Sequence, residues 1–598
     1  IVRPTHPDPK VKLRFNWNAA INIDPFDNNT LYFGSQFVHK STDKGETWTI
    51  ISPDLTTNDP EKQKQDKSGG LTMDATGAEN YTTIIVIEPS PVEKNMLWVG
   101  TDDGRVQVTR DGGITWTDVS KNIKGLPAGS WIPQIKASNK HKGEALLVAN
   151  DYRRFNYTPY VYRTKDYGKT WERIVDGNDV KSYALCILED IEEPNLMFLG
   201  TDDGLYISLD AGNKWTKWTA GFPTVSVKDL IIQPRENDLD IATFGRAVWV
   251  LDDIRPLCAL AKNKDILNQK IKLFSPPTAY EVAYQQPTAG RFGADGTFSG
   301  ENRGFGAQLS YYVKIDQKKE EAKKEEDMDD KKDEDGEDSK KEEAKVKWDS
   351  ITMMVYDGDR LIRTLKHKAP DSSGIYRTSW YLNEAGVDRP SRTIRKRKRE
   401  PSGVSVKPGT YKVVMTFGDQ TSEQMITVKT DPRLDVSMSN ISEIYAASKN
   451  LEHMQQTEAD AVKQLVESKQ IAEKFQKDLK KLDKDKYKDN IKSSKDIVKQ
   501  IDDLIAIYLG KEDKRQGITQ GPEDDVNHFM NLARYYVGSR QHGLTSTETT
   551  LVKNAKDALN EALDKTNTFF NETWKSYQDN MEQLQASPFK EVKSFHLD

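Results

Sequence analysis
An eight-residue pattern, S/T-x-D-x-G-x-x-W, recurs four times in the first part of this 598-residue chain, and no other feature limits its fold as much. The copies are Ser41-Thr42-Asp43-Lys44-Gly45-Glu46-Thr47-Trp48, Thr109-Arg110-Asp111-Gly112-Gly113-Ile114-Thr115-Trp116, Thr164-Lys165-Asp166-Tyr167-Gly168-Lys169-Thr170-Trp171 and Ser208-Leu209-Asp210-Ala211-Gly212-Asn213-Lys214-Trp215. Each residue type has a physical task. The Asp carboxylate accepts hydrogen bonds from its own turn. The Gly supplies a positive φ where a Cβ would clash. The Trp is a large apolar body that fills space between neighbouring sheets. Upstream of the copies lie β-branched and apolar runs ended by Gly, Asp and Asn, such as Ile84-Ile85-Val86-Ile87 with Leu97-Trp98-Val99-Gly100-Thr101-Asp102-Asp103-Gly104, and Leu185-Cys186-Ile187-Leu188 with Met197-Phe198-Leu199-Gly200-Thr201-Asp202-Asp203-Gly204. Such runs read as short strands joined by turns.

The Asp-to-Asp spacings of 68, 55 and 44 residues each suit one four-stranded propeller blade. About five such units are expected by Leu251. The repeat resembles the Asp-box (BNR) repeats of sialidases and Vps10/sortilin ectodomains, and above all the Bacteroidota-type BNR-repeat glycosyl hydrolase proteins. Phe15-Asn16-Trp17-Asn18 to Ser52-Pro53-Asp54-Leu55-Thr56 is similar to a late blade of that family, and Thr243-Phe244-Gly245-Arg246 to Asp253 to its closing strand. The resemblance implies that Asp43, Gly45, Trp48, Asp111, Gly113, Trp116, Asp166, Gly168, Trp171, Asp210, Gly212 and Trp215 are structural box residues. It also implies earlier blades, supplied by another chain or fragment. The N-terminal Ile1-Val2-Arg3 reads as a processed or partial start.

The second half changes character. The expected fold class is multidomain, mainly β and then α: a partial Asp-box β-propeller over residues 1–254, a connector over 255–305, a FlgD/Ig-like β-sandwich over 306–435, and an antiparallel helical bundle over 436–598. Residues 317–347 are almost entirely Lys, Glu and Asp and cannot bury a core. Within them Asp333, Asp335, Gly336 and Glu342 imitate a calcium loop, but Lys331 puts a cation at its first ligand position. Arg395-Lys396-Arg397-Lys398-Arg399 reads as a solvated basic loop. After Asn440, apolar residues recur at helical spacing: Leu451, Met454, Val462, Leu465, Ile471, Phe475 and Leu479. Thr545-Ser546-Thr547-Glu548 has the capping-box pattern.

Chemistry-bearing motifs are scarce. Gly168-Lys169-Thr170 lacks the upstream Gly of a phosphate loop, and Gly304-Phe305-Gly306 runs on to Leu309 instead of a third Gly. The sequence contains no H-E-x-x-H, C-x-x-C or G-x-S-x-G. No cofactor or metal is expected. Cys186 and Cys258 read as small buried hydrophobes, with a disulfide as the alternative. A net charge of −6 argues against nucleic-acid binding. No apolar run is long enough for a transmembrane helix. Asp102-Asp103 and Asp202-Asp203 recur at equivalent blade positions and so read as turn chemistry. The expectation is a non-catalytic extracytoplasmic binding or scaffold protein in the periplasm or on the outer surface of a Gram-negative bacterium, engaging a protein or polymer within an outer-membrane complex. The alternative is a BNR-type glycoside hydrolase, which needs two carboxylates across a cleft.

Overall fold
A computed structural model describes residues 4–64, 80–282, 303–315, 350–394, 397, 399–512 and 523–584. The chain divides into two compact units, Ile1–Gln269 and Lys270–Asp598. The first unit holds five antiparallel sheets in chain order, propeller-like in their sequence. Four are four-stranded meanders over residues 21–50, 84–118, 131–175 and 184–217; the fifth, over 227–251, is three-stranded.

Successive sheets stack face to face, and the second strands of the middle three, Leu97–Thr101, Ala145–Asp151 and Met197–Thr201, are buried on both sides. Every sheet therefore has a leading face toward its predecessor and a trailing face toward its successor. Tyr32 and Val38 of the first sheet pack on Ile87 and Val99 of the second. Trp98 and Val106 then pack on Ile135 and Leu147 of the third, Leu146 and Val161 on Ile187 and Leu199 of the fourth, and Phe198 and Leu205 on Leu230 and Ile241 of the fifth. Each such side chain, fully buried, contributes about 1.5–3 kcal/mol.

The four Asp boxes form the turns between third and fourth strands. In all four, the leading Ser or Thr hydroxyl accepts the glycine N–H: Gly45 from Ser41 at 2.8 Å, Gly113 from Thr109 at 3.0 Å, Gly168 from Thr164 at 2.9 Å and Gly212 from Ser208 at 2.9 Å. The Asp carboxylate accepts the backbone N–H four residues on, at 2.9 Å, from Thr47, Thr115, Thr170 and Lys214. The threonine hydroxyls add 2.6 Å bonds to Asp43, Asp111 and Asp166. At Asp210, where Lys214 has no hydroxyl, Lys264 pairs instead at 2.9 Å. Hydrogen bonding from Thr47 and Thr115 pulls the Asp43 and Asp111 carboxyls down to about 2. Three boxes also dock on the preceding sheet. Gly113 adopts φ +98°, and a Cβ there would strike the Ile51 carbonyl oxygen; one at Gly168 would lie 2.9 Å from Val119. Trp116 and Trp215 donate their indole N–H at 3.1 Å to Ile51 and Ile174 of the preceding sheets, and Trp171 meets Trp98 edge-on at 6.0 Å.

In the second unit a three-stranded sheet (Ile271–Leu273, Ala307–Val313, Gly374–Trp380) and a five-stranded sheet share one apolar core around Trp380, Leu309, Met353 and Val413. Ala279–Glu281 joins the larger sheet in parallel with Gln420–Thr430. Within the stretch expected to be a connector, the structure thus places strands of this unit, and also the helix Arg255–Lys262, whose Leu257 and Ala261 pack on the last two propeller sheets.

A helical region follows: Met438–Leu482, Lys488–Leu509, Val526–Gly538 and Ser546–Thr568, the last continuing through a π-helical turn, Phe569–Trp574, into Lys575–Glu582. Its core gathers Leu451, Met454, Val462, Leu465, Ile501, Met530 and Leu559. Ile471 and Phe475, expected in this stripe, are exposed instead: the packed face of the first helix runs through Leu465, Ala472 and Leu479, and these two side chains lie beside that line. The capping box at Thr545 and Glu548 forms. Cys186 and Cys258 are free thiols. The tract 317–347 with its calcium-loop imitation, and Arg395, Lys396 and Lys398 of the basic cluster, lie outside the described residues; Arg397 pairs with Asp388 at 3.3 Å.

Candidate functional site
Strand alternation puts the Asp boxes at one end of the sheets, with the first-to-second strand turns. Chain entry into each first strand, and the second-to-third strand turns, lie at the opposite end. Backbone bonds tie these two features together there. Asp102 donates its N–H to the Thr83 carbonyl at 3.1 Å, Asp202 to Tyr183 at 3.3 Å and Phe244 to Ser226 at 2.8 Å. The predicted box residues therefore sit together at the end away from this one, acting within their turns and on the neighbouring sheet.

The entry end is rich in aromatic rings. Tyr81 stacks on Trp131 of the next sheet at 6.4 Å. The Arg153 guanidinium lies 3.3 Å over Trp131 and 4.4 Å from the Tyr152 ring. Tyr152 stacks on Tyr183 of the fourth sheet at 4.6 Å. This continuous stack cements three sheets. At the same end of the sheets, Tyr157 (6.1 Å from Tyr183), Phe155, Trp17 and Phe244 present exposed rings. Burial pushes the Tyr81 hydroxyl up to about 12 and lowers the affinity of Arg153 for its proton. Burial, then its bond to Asp202, also raises Tyr183.

The carboxylates at this end part company in a way the repeat concealed. Asp103 and Asp203 do play the same turn role, each accepting a threonine hydroxyl, from Thr101 at 2.5 Å and Thr201 at 2.7 Å. The preceding aspartates differ. Asp102 is fully buried and accepts from the Thr83 N–H at 2.8 Å, the Thr83 hydroxyl at 2.6 Å and the Asn16 amide at 3.2 Å. Desolvation raises it to about 7, against those bonds. Asp202 is exposed beside Tyr183. The two Asp-Asp pairs do occupy equivalent turns, but their first aspartates differ in surroundings: Thr83 and Asn16 close over Asp102, whereas Tyr183 stands in the place of Thr83 at Asp202. Asp151 is buried against Arg154 at 2.6 Å.

Sequence reasoning missed this aromatic end. The signal was present, because an aromatic stands at or shortly before the start of the first strand of four sheets: Trp17, Tyr81, Trp131 and Tyr183. Chemically, exposed rings over a rigid floor offer π faces to the C–H faces of sugar rings, with Asp202 beside them as an acceptor for hydroxyls. Among the described residues no cluster of His, Cys, Asp and Glu has metal-site geometry, and no helix is long and apolar enough to cross a membrane.

No family model matches the chain. A stretch of 126 residues is 30% identical to the oligoxyloglucan-reducing-end-specific xyloglucanase of Emericella nidulans, covering 19% of this chain and 14% of that protein. Similar solved structures include a GH74 xyloglucanase from Xanthomonas campestris (19% identity, TM-score 0.31, 39% of this chain and 36% of that one). They also include a GH74 enzyme from Niastella koreensis (15%, TM-score 0.27, 40% and 47%) and YCF48 from Cyanidioschyzon merolae (14%, TM-score 0.25, 41% and 73%). The chain spans less than half of the xyloglucanase and GH74 chains it matches. The expectation of a non-catalytic scaffold, and its lean away from an enzyme, is corrected by the xyloglucanase match, which makes a glycoside hydrolase the protein that 126 residues of this chain resemble at 30% identity. That match is to a xyloglucanase and not to a Vps10/sortilin receptor, so the resemblance to the latter is set aside.

Proposed function
We propose that the first unit is the glycan-engaging part of a glycoside hydrolase acting on a β-glucan-type polysaccharide, with xyloglucan the leading substrate. The observation that carries this reading is the set of exposed rings at the entry end, Trp17 before the first sheet, Phe155 and Tyr157 in the third and Phe244 in the fifth, with the exposed Asp202 of the fourth sheet bonded to Tyr183. Rings contributed by several sheets suit an extended polymer better than a small metabolite. Asp202 is offered to the sugar as one of the two carboxylates that glycoside hydrolysis requires. Asp102, sealed beneath the surface, is a positioning residue that fixes Tyr81–Thr83 and joins the entry of the first sheet to the second. The two-sheet part of the second unit is read as an Ig-like spacer. A polysaccharide substrate places the protein outside the cytoplasm.

The test is release of new reducing ends from xyloglucan by the full chain, with retention in xyloglucan-containing native gels measured in parallel. Asp202→Asn is expected to abolish release while keeping retention, and Tyr157→Ala to weaken retention. A full chain that neither binds nor cleaves xyloglucan or another β-glucan overturns the proposal.

A further inference from the structure
Within the second unit, a cavity of about 600 Å³ lies between the sheets and the helical region. Its sheet side is made by Tyr280 and Glu281 of the strand Ala279–Glu281 and by residues 403–407. Its helical side is made by the first helix between Ile441 and Glu452 and by the end of the helix Val526–Gly538. A space of that size suits a small organic molecule. Leu382, Val406, Ile441, Ile444 and Leu451 give it an apolar lining. Phe305, Tyr381 and Leu434 line it too and are 47%, 66% and 37% exposed, so it opens to solvent between apolar side chains.

The charged groups around this space are answered from within the protein, with one exception. Tyr445 and Glu452 belong to a closed network. Glu384 accepts from the Tyr445 hydroxyl at 2.5 Å and from Arg360 at 2.8 Å, and Lys449 bridges Glu384 at 3.2 Å and Glu452 at 2.7 Å. Glu452 also accepts the Val404 N–H at 2.9 Å. Asp431 pairs with Arg433 at 2.5 Å. Arg534 donates to Gln455, and Arg540 to the Gly543 carbonyl at 3.1 Å. Lys407 lies over the Tyr445 ring at 5.2 Å. Glu281 is the exception. Parallel pairing with Thr430 fixes its backbone, yet its half-buried carboxyl takes part in no hydrogen bond or ion pair among the described residues, and burial alone raises it to about 7. A carboxyl drawn out of water without a donor costs free energy, and a ligand that brings the missing charge recovers it.

We propose that this cavity binds a small organic monocation, an amine on an apolar body, with the ammonium on the Glu281 carboxylate and the body against Tyr381, Leu434 and Ile444. A neutral ligand would leave Glu281 unanswered, and an anion would set a second negative charge beside it. Aromatic side chains at the same place, Tyr280 and Tyr381, favour a cation further through their ring faces. The proposal is independent of the polysaccharide reading, which concerns the first unit.

The test uses three probes that share one apolar body and differ in charge: 4-phenylbutylamine, 4-phenylbutanol and 4-phenylbutyrate. Each is titrated by calorimetry into the full chain and into Glu281→Gln at pH 8, above the value to which burial raises Glu281. The amine is expected to bind at one site, about tenfold or more tighter than the alcohol. Glu281→Gln should bring the amine down to the level of the alcohol while its circular-dichroism melting curve stays that of the wild type, which separates loss of the charge from loss of folding. Tyr381→Ala, at the rim, should weaken the amine in the wild-type background. An amine that binds no tighter than the alcohol, amine binding that survives Glu281→Gln, butyrate as the tightest probe, or no binding by any of the three would each overturn the proposal.

Discussion

Asp102→Asn tests the account of the entry end through a single proton. The Asp102 carboxyl has no exposed surface, and burial raises it to about 7, well above the ordinary carboxylate range. The folded protein therefore holds this proton more tightly than the unfolded chain does. Its contribution to stability is fully present below the ordinary carboxylate range and is lost as pH rises toward 7, where the folded state must bury a charge. A difference of about three pH units for one proton corresponds to about 4 kcal/mol. Asparagine keeps an acceptor for the Thr83 N–H and carries no charge at any pH. Urea unfolding followed by tryptophan fluorescence reports chiefly on the first unit, which holds nine of the 12 tryptophans. Measured between pH 4 and pH 8.5, the wild type should lose up to about 4 kcal/mol relative to Asp102→Asn, most of it below pH 7. Every other carboxylate is common to both proteins, so the difference isolates this group. Parallel pH profiles would refute the reasoning, because they would mean that the three donors already hold Asp102 as an ordinary ionised carboxylate.

Other residues give simpler tests. Gly113→Ala combines a φ of +98° with a collision at the Ile51 carbonyl and should cost about 1–3 kcal/mol by urea unfolding. Ile87→Ala, in the buried face between the first two sheets, should cost about 2–5 kcal/mol, while Ile21→Ala at the equivalent position of the exposed end should change the isolated chain by less than about 0.5 kcal/mol. Thr545→Ala removes the cap that receives the Thr547 N–H and is bonded by Glu548, and should destabilise the helical region by about 1 kcal/mol in thermal unfolding followed by circular dichroism.

Much of the architecture could be read in the sequence because it is local. Each box closes its turn with bonds between residues four apart, so Asp43, Asp111, Asp166 and Asp210 announce a strand turn wherever they occur. The Thr545–Glu548 cap is local in the same sense. What could not be read depends on distant partners. Asp102 differs from Asp202 through Asn16, 86 residues away in sequence from Asp102. Tyr81, Trp131, Tyr152 and Tyr183 become one stack only when three sheets are placed side by side. Ile471 and Phe475 have helical spacing but lie off the line through Leu465, Ala472 and Leu479 that the neighbouring helices cover, and periodicity alone does not fix which line that is. The functional expectation failed for a related reason: a search for catalytic motifs cannot see a surface assembled from single aromatic residues contributed by separate repeats.

The central claim is that a polysaccharide lies across the entry end and not the box end. Amide hydrogen exchange of the full chain with and without a xyloglucan oligosaccharide measures this directly. The account predicts slowed exchange around residues 152–158, 182–184 and 201–204, with the box turns at 43–47, 111–115 and 166–170 unchanged. Protection confined to the box turns, or no protection anywhere in the first unit at saturating oligosaccharide, would contradict it.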